Sequence, residues 1–121
     1  FNFDVDLAQK HSEENPVFYV QYAHARASSV LRQDSGVLNF VPNLVLLDDI
    51  YELRLIKHLA LWPSLVRAAA FMHEPHRVAF YLIDLASLFH GLWNAGRDNP
   101  ALRLYALSYF HLSFQFLKMA L

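Results

Sequence analysis

The sequence predicts an all-α fold, an antiparallel bundle of about five helices. Apolar residues recur at helical spacing, as at Ile50, Leu53 and Ile56, and no segment alternates as a strand would. Four of the five prolines stand where helices are expected to begin, at positions 16, 63, 75 and 100. Proline suits that place because it lacks an N–H that the first helical turn would leave unpaired.

The predicted elements follow one another with mostly short connections. A helical or extended lead-in covers residues 1–10, and the apolar connector at 37–47 has no assigned structure. That connector either packs over the bundle or covers a face of another domain. We expect the helices at about 16–32, 48–62, 64–73, 74–94 and 101–119.

Polar residues mark several of the helix starts. Asn15 and Asn99 each precede a proline and are expected N-caps. Asp48, Asp49 and Glu52 could be grouped as carboxylates for acid–base catalysis. A helix N-terminus, whose dipole favours negative charge, explains these carboxylates better.

Composition limits the functions open to the chain. Its 121 residues fit one domain, with 55% hydrophobic and 17% charged residues, so some apolar surface is expected to meet a neighbour. The net charge of −1 gives no long-range basic field. Any contact with nucleic acid must therefore be local, through aromatic rings and a few arginines or lysines.

The chain has no cysteine, which excludes disulfides, cysteine-ligated zinc and thiol catalysis. It also has no apolar run of about 18 residues and no signal segment, so we expect a soluble, cytoplasmic protein. The first residue is Phe1 rather than Met, which favours a piece of a longer protein.

The stretch "NPVFYVQYAHAR", residues 15–26, places polar groups among apolar ones. Gln21 and Arg26 can donate hydrogen bonds to phosphate or sugar, and Tyr22 offers a ring for stacking. The alternative is a core helix with an ordinary polar edge. Val17, Val20 and position 24 share a helical face, so we expect His24 to be buried and hydrogen-bonded.

Two segments resemble the C-terminal, DALR-type anticodon-binding domain of class I arginyl-tRNA synthetases. They are "NPVFYVQYAHAR" and "EPHRVAFYLIDLASLFHGLWN", residues 74–94, and they occur in the family's order. The lead-in "FNFDVDLA" is similar to the segment that precedes the first motif. The tail "LYALSYFHLSFQFLKMAL" departs from the family because it is more aromatic and stops earlier.

The resemblance implies an anticodon-binding helical domain at 15–121, with 1–14 as a lead-in from the preceding catalytic domain. Its partners would be tRNA(Arg) and that catalytic domain, with no membrane and no DNA. ATP and magnesium would bind elsewhere in the parent, which ligates arginine to tRNA. The chain itself has no His-x-Gly-His signature, no Lys-Met-Ser-Lys loop and no glycine-rich phosphate loop. We therefore expect no cofactor and no catalytic residue here.

The resemblance and the residue chemistry together select seven candidate tRNA-binding residues: Gln21, Tyr22, Arg26, Arg32, His76, Arg77 and Tyr81. Lys57 is a further candidate for a backbone contact. For His76 the alternative is a solvated helix start, and for Tyr81 it is a core aromatic whose hydroxyl reaches the surface.

Two other functions have some support in the sequence. His73 and His76 are three residues apart, as a metal pair could be, but a third ligand at suitable spacing is missing, so no metal site is predicted. The alternative to tRNA binding is a non-catalytic helical module that docks another protein or self-associates, favoured by the low charge and the apolar connector.

Overall fold

The structure is a computed structural model that describes residues 4–12, 14–33 and 47–102. Within these residues every regular element is helical, which confirms the all-α prediction. In order the elements are α1 (Val5–Gln9), α2 (Pro16–Gln33), α3 (Ile50–Ala60), α4 (Trp62–Met72), α5 (His76–Asp98) and a 3-10 turn (Pro100–Leu102). The apolar connector, except Leu47, and almost all of the predicted last helix lie outside the described residues.

Two helix starts are capped by the residues that the sequence indicated. The Oδ1 of Asn15 accepts from the backbone N–H of Val17 at 3.0 Å, as an N-cap does. At α3, Asp49 and Glu52 form a capping box. The Asp49 side chain accepts from the backbone N–H groups of Glu52 and Tyr51, and the Glu52 side chain accepts from the backbone N–H of Asp49. The two carboxylates therefore pair with backbone N–H groups at the start of α3.

The end of α5 differs from the prediction. The helix continues past Asn94 to Asp98 and includes Gly96, which is buried. It stops at Asn99, whose backbone is extended (φ −115°, ψ 106°). A residue before proline is driven out of helical conformation by the proline ring, so Pro100 rather than the glycine ends the helix.

Helix α5 is the centre of the bundle, with α2 and α3 packed against it and α4 beside it. Its most deeply buried side chains are Leu85, Phe89 and Leu92, joined by Leu55 from α3. Among the described helices, none has both the length and the apolar content that crossing a membrane requires.

Helix α2 presents a different face to the core from the one predicted. Among the α2 side chains that the structure describes, the buried ones are those of Ala23 and Ala27, whose small size allows close approach of α5. Val17 is 64% exposed, and His24 is exposed as well. The prediction that His24 is buried was therefore wrong, because the face of α2 that meets the core runs through Ala23 and Ala27, with Val20 and Val30 partly buried beside them.

Candidate nucleic-acid interface

Tyr22 and Arg26 lie one turn apart on α2 and contact each other. The Nη2 of Arg26 donates to the Tyr22 hydroxyl at 2.5 Å, and the guanidinium carbon lies 4.1 Å from the centre of the tyrosine ring. Residues four apart share a helix face, which makes this contact possible. Tyr22 is 37% exposed, and its ring also lies near the rings of Phe18 and His90.

Helix α5 holds Arg26 from the other side. The guanidinium carbon lies 4.9 Å from the Trp93 ring centre, and Nη1 of Arg26 lies 3.3 Å from Nδ1 of His90. A guanidinium has only donors, so Nδ1 accepts, and Nε2–H of His90 donates to the backbone oxygen of Tyr19 at 3.4 Å. Both ring nitrogens of His90 are thus engaged, which holds the imidazole beside Arg26.

Two rings beside Tyr22 continue the aromatic surface. Phe18 lies 6.2 Å from Tyr22 with ring planes 10° apart, and His11 lies 5.7 Å from Phe18 at 21°. Neither His11 nor Phe18 was a candidate from the sequence. The i, i+4, i+8 spacing of Phe18, Tyr22 and Arg26 was the signal that could have found Phe18. No local pattern could have found His11.

The remaining candidates on α2 and α3 are exposed polar residues. Gln21 and Arg32 lie on α2, and Lys57 lies on α3; all three are solvent-exposed. Exposure is what a phosphate contact requires, so these residues stay predicted contacts.

His76 and Arg77 form a separate group at the start of α5. Both are exposed, and the Nε of Arg77 is bound to the Glu74 carboxylate. Fourteen residues separate His76 from His90, which is about 21 Å along a helix at 1.5 Å per residue. The predicted residues therefore lie in two places rather than in one cluster.

Tyr81 does not belong to an accessible site. Tyr81 is on α5 and is only 4% exposed. Its ring centre lies 4.3 Å from that of His58 on α3 and 5.2 Å from that of Trp62 on α4. Its hydroxyl donates to the backbone oxygen of His58 at 3.1 Å. Burial raises the pKa of Tyr81 to about 12. The prediction that Tyr81 stacks on a base was wrong, because the core covers its ring.

The acidic residues do not form a reaction centre. Glu52 is 2% exposed, and burial raises its pKa, while the hydrogen bond from the Asp49 N–H opposes that shift. Within 4–12, 14–33 and 47–102, no three histidine, cysteine or acidic side chains are grouped so that they could hold a metal ion.

The structure is thus an all-α bundle with an arginine held between aromatic rings at its edge. The chain belongs to the DALR anticodon binding domain family, whose sequence model matches residues 20–102.

The relatives agree with this assignment. The chain is 49% identical over 110 residues to the arginine–tRNA ligase of Sinorhizobium medicae (strain WSM419), covering 84% of this chain and 19% of the ligase. It is 54% identical over 111 residues to that of Azorhizobium caulinodans, covering 83% and 19%. The chain thus spans about a fifth of the length of the curated relatives it matches. No solved structure matches it.

Proposed function

We propose that this chain is the tRNA-binding, anticodon-side domain of an arginyl-tRNA synthetase, whose parent ligates arginine to tRNA(Arg) with ATP. The observation that carries the proposal is the Tyr22–Arg26 pair, held open at the edge of a bundle that is about half identical to arginine–tRNA ligases. The alternative, a protein-docking module, is less well supported because the relatives described above are ligases.

The proposed mechanism is positional. The exposed ring of Tyr22 stacks on a loop base that has left its own stack, and stacking is worth about 1–3 kcal/mol per base. Arg26 brings its charge to the same point, where two rings and His90 fix the plane of the guanidinium. A group already fixed in its bound geometry loses little entropy on binding.

The other exposed candidates would hold the RNA backbone. Gln21 and Arg32 on α2 and Lys57 on α3 can donate to phosphate or sugar oxygens. His76 and Arg77 would reach a different part of the tRNA, because they lie far along α5. The ligation itself, with ATP and magnesium, would take place on the rest of the parent, in the cytoplasm.

A titration of the 121-residue chain with fluorescein-labelled tRNA(Arg) transcript tests the proposal. We expect weak binding that falls as salt rises, since phosphate contacts release counterions. Tyr22→Ala should weaken it about 5- to 150-fold, the equivalent of one lost stacked base. His24→Ala is the matched control, because His24 is exposed on the same helix and points away from Tyr22. Absence of binding at low salt would refute the proposal.

A further inference from the structure

The outer side of α3 carries two cations between two aliphatic side chains. Four exposed residues form one line along it, called here the α3 stripe: Ile50, Arg54, Lys57 and Leu61. Ile50 is 53% exposed and Leu61, at which the helix ends, is 54% exposed. The buried Leu55 and Leu59 lie on the opposite side of the helix.

The spacing of the α3 stripe is that of a helix-pairing seam. Its members are four, three and four residues apart, which places them within about 60° of arc along about 16 Å of helix. This alternation is the one by which paired helices contact each other. It reads the same in both directions, so a partner helix can lie parallel or antiparallel to α3.

The fold itself does not use the α3 stripe. Within residues 47–102, Arg54 and Lys57 form no ion pair, whereas Arg77 is paired with Glu74. The aliphatic ends of the stripe lie outside the buried core, which α3 reaches through Leu55 and Leu59. The stripe therefore has two charges and two apolar side chains that a partner could satisfy.

The chemistry of the α3 stripe selects its partner. A second copy of the chain would place Arg54 and Lys57 against the same cations, and like charges across an interface are unfavourable. RNA phosphates would pair with the cations but leave the aliphatic ends in water. Permanently covered domain faces are more hydrophobic than this. A reversible contact with an acidic helix satisfies all four side chains.

We propose that the α3 stripe docks an amphipathic helix of another protein, whose contacting face has two acidic residues between two aliphatic ones. The carboxylates pair with Arg54 and Lys57, and the aliphatic residues cover Ile50 and Leu61. Charged residues within such a seam select the partner and its register at some cost in affinity. The inference goes beyond the proposed function, and it gives Lys57, a candidate for an RNA contact, a carboxylate partner instead.

The test uses the 121-residue chain and a fluorescein-labelled synthetic peptide. The peptide has leucine, glutamate, glutamate and leucine at i, i+4, i+7 and i+11, in an alanine-rich background that favours a helix. We expect saturable binding by fluorescence anisotropy. A peptide with the same residues scrambled over all faces of the helix should bind about tenfold more weakly, because its charges and apolar groups no longer share a face. Equal binding of the two peptides would overturn the inference.

Two double variants test the α3 stripe itself. Arg54→Glu/Lys57→Glu should weaken binding of the glutamate peptide about tenfold or more. The same variant should bind a peptide with lysines in place of the glutamates, which shows that it is folded. Ile50→Ala/Leu61→Ala should weaken binding about fivefold, because apolar contacts at both ends are lost. Unchanged affinity in either variant would overturn the inference.

The matched control is Arg67→Glu/Arg97→Glu. It changes the net charge by the same amount on α4 and α5, where both arginines are exposed. This control should keep peptide affinity within about threefold of the unchanged chain. A loss as large as that of Arg54→Glu/Lys57→Glu would mean that net charge alone attracts the peptide, and the inference would be wrong.

Other occupants of the α3 stripe give different results. If Arg54→Glu/Lys57→Glu weakens binding of tRNA(Arg) transcript but not of the peptide, the stripe contacts RNA and the inference is overturned. A dimer of the unchanged chain in sedimentation equilibrium that this variant abolishes would assign the stripe to a second copy and overturn it as well. If the whole parent fails to bind the peptide that the 121-residue chain binds, the rest of the parent covers the stripe, and no other protein docks there.

Discussion

Tyr81 and His58 exchange hydrogen bonds across the contact of α5 with α3. The tyrosine hydroxyl donates to the backbone oxygen of His58 at 3.1 Å, and His58 Nε2–H donates to the backbone oxygen of Tyr81 at 3.2 Å. The two rings lie 4.3 Å apart with planes at 12°. Each residue thus satisfies a polar group of the other inside the bundle, which assigns Tyr81 to stability rather than to ligand contact.

Removing the Tyr81 hydroxyl should lower stability and leave RNA binding alone. We expect Tyr81→Phe to reduce the free energy of unfolding by about 0.5–1.5 kcal/mol, the net value of one internal hydrogen bond. Urea unfolding measures this change. The affinity for tRNA(Arg) should stay within about twofold, because the ring lies under the core. A large loss of affinity at unchanged stability would contradict the structural assignment.

The raised pKa of Tyr81 predicts a loss of stability at high pH. The pKa rises from 10.0 to about 12 through burial, so between these values the unfolded chain loses the proton and the folded chain keeps it. Stability is therefore fully present below pH 10 and declines as pH rises toward 12. Tyr81→Phe should show a shallower decline in urea unfolding at pH 9, 10 and 11. Equal slopes for the two proteins would contradict the burial argument.

The sequence was sufficient for helices α2 to α5 and for most of their starts, because capping residues and prolines act on their immediate neighbours. It also selected Tyr22 and Arg26, which the structure places in contact on α2. It could not distinguish Tyr81 from an accessible tyrosine, since periodicity places a residue on the apolar stripe but does not reveal what covers it. His58, which covers it, is 23 residues away in the chain.

The sequence also could not show which distant residues contact Arg26. His90 is 64 residues away, so only the packing of α2 on α5 brings it to the guanidinium. His24 was misassigned for a related reason. A search for aliphatic side chains overlooks a helix contact made by Ala23 and Ala27, which bury little area but allow close approach.

The buried carboxyl of Glu52 should make the protein less stable as pH rises above 4.5. Burial raises its pKa from the value of 4.5, so the folded state holds a proton that the unfolded state has already lost. Stability then falls as pH rises through this window. Glu52→Gln should remove that fall and be at least as stable at pH 7, since glutamine can still accept from the Asp49 N–H.

Urea unfolding at pH 5 and pH 7 measures the Glu52 effect, and Glu14→Gln is the matched control because Glu14 is exposed. The control should keep the pH dependence of the unchanged protein. If Glu52→Gln showed the same fall in stability between pH 5 and pH 7, the Glu52 carboxyl would not be its cause, and the desolvation argument would be wrong.

Arg26 should not be replaceable by lysine. The guanidinium is planar and lies over the rings of Tyr22 and Trp93 while it donates to His90, and an ammonium group cannot meet these demands together. We expect Arg26→Lys to weaken tRNA(Arg) binding about tenfold, equivalent to about 1.4 kcal/mol. Arg32→Lys, on the same helix but exposed, should change affinity less than about threefold, because a phosphate contact there needs only charge. Fluorescence titrations at two salt concentrations measure both variants. Equal effects at the two positions would mean that Arg26 acts by charge alone, and that the rings around it do not orient it.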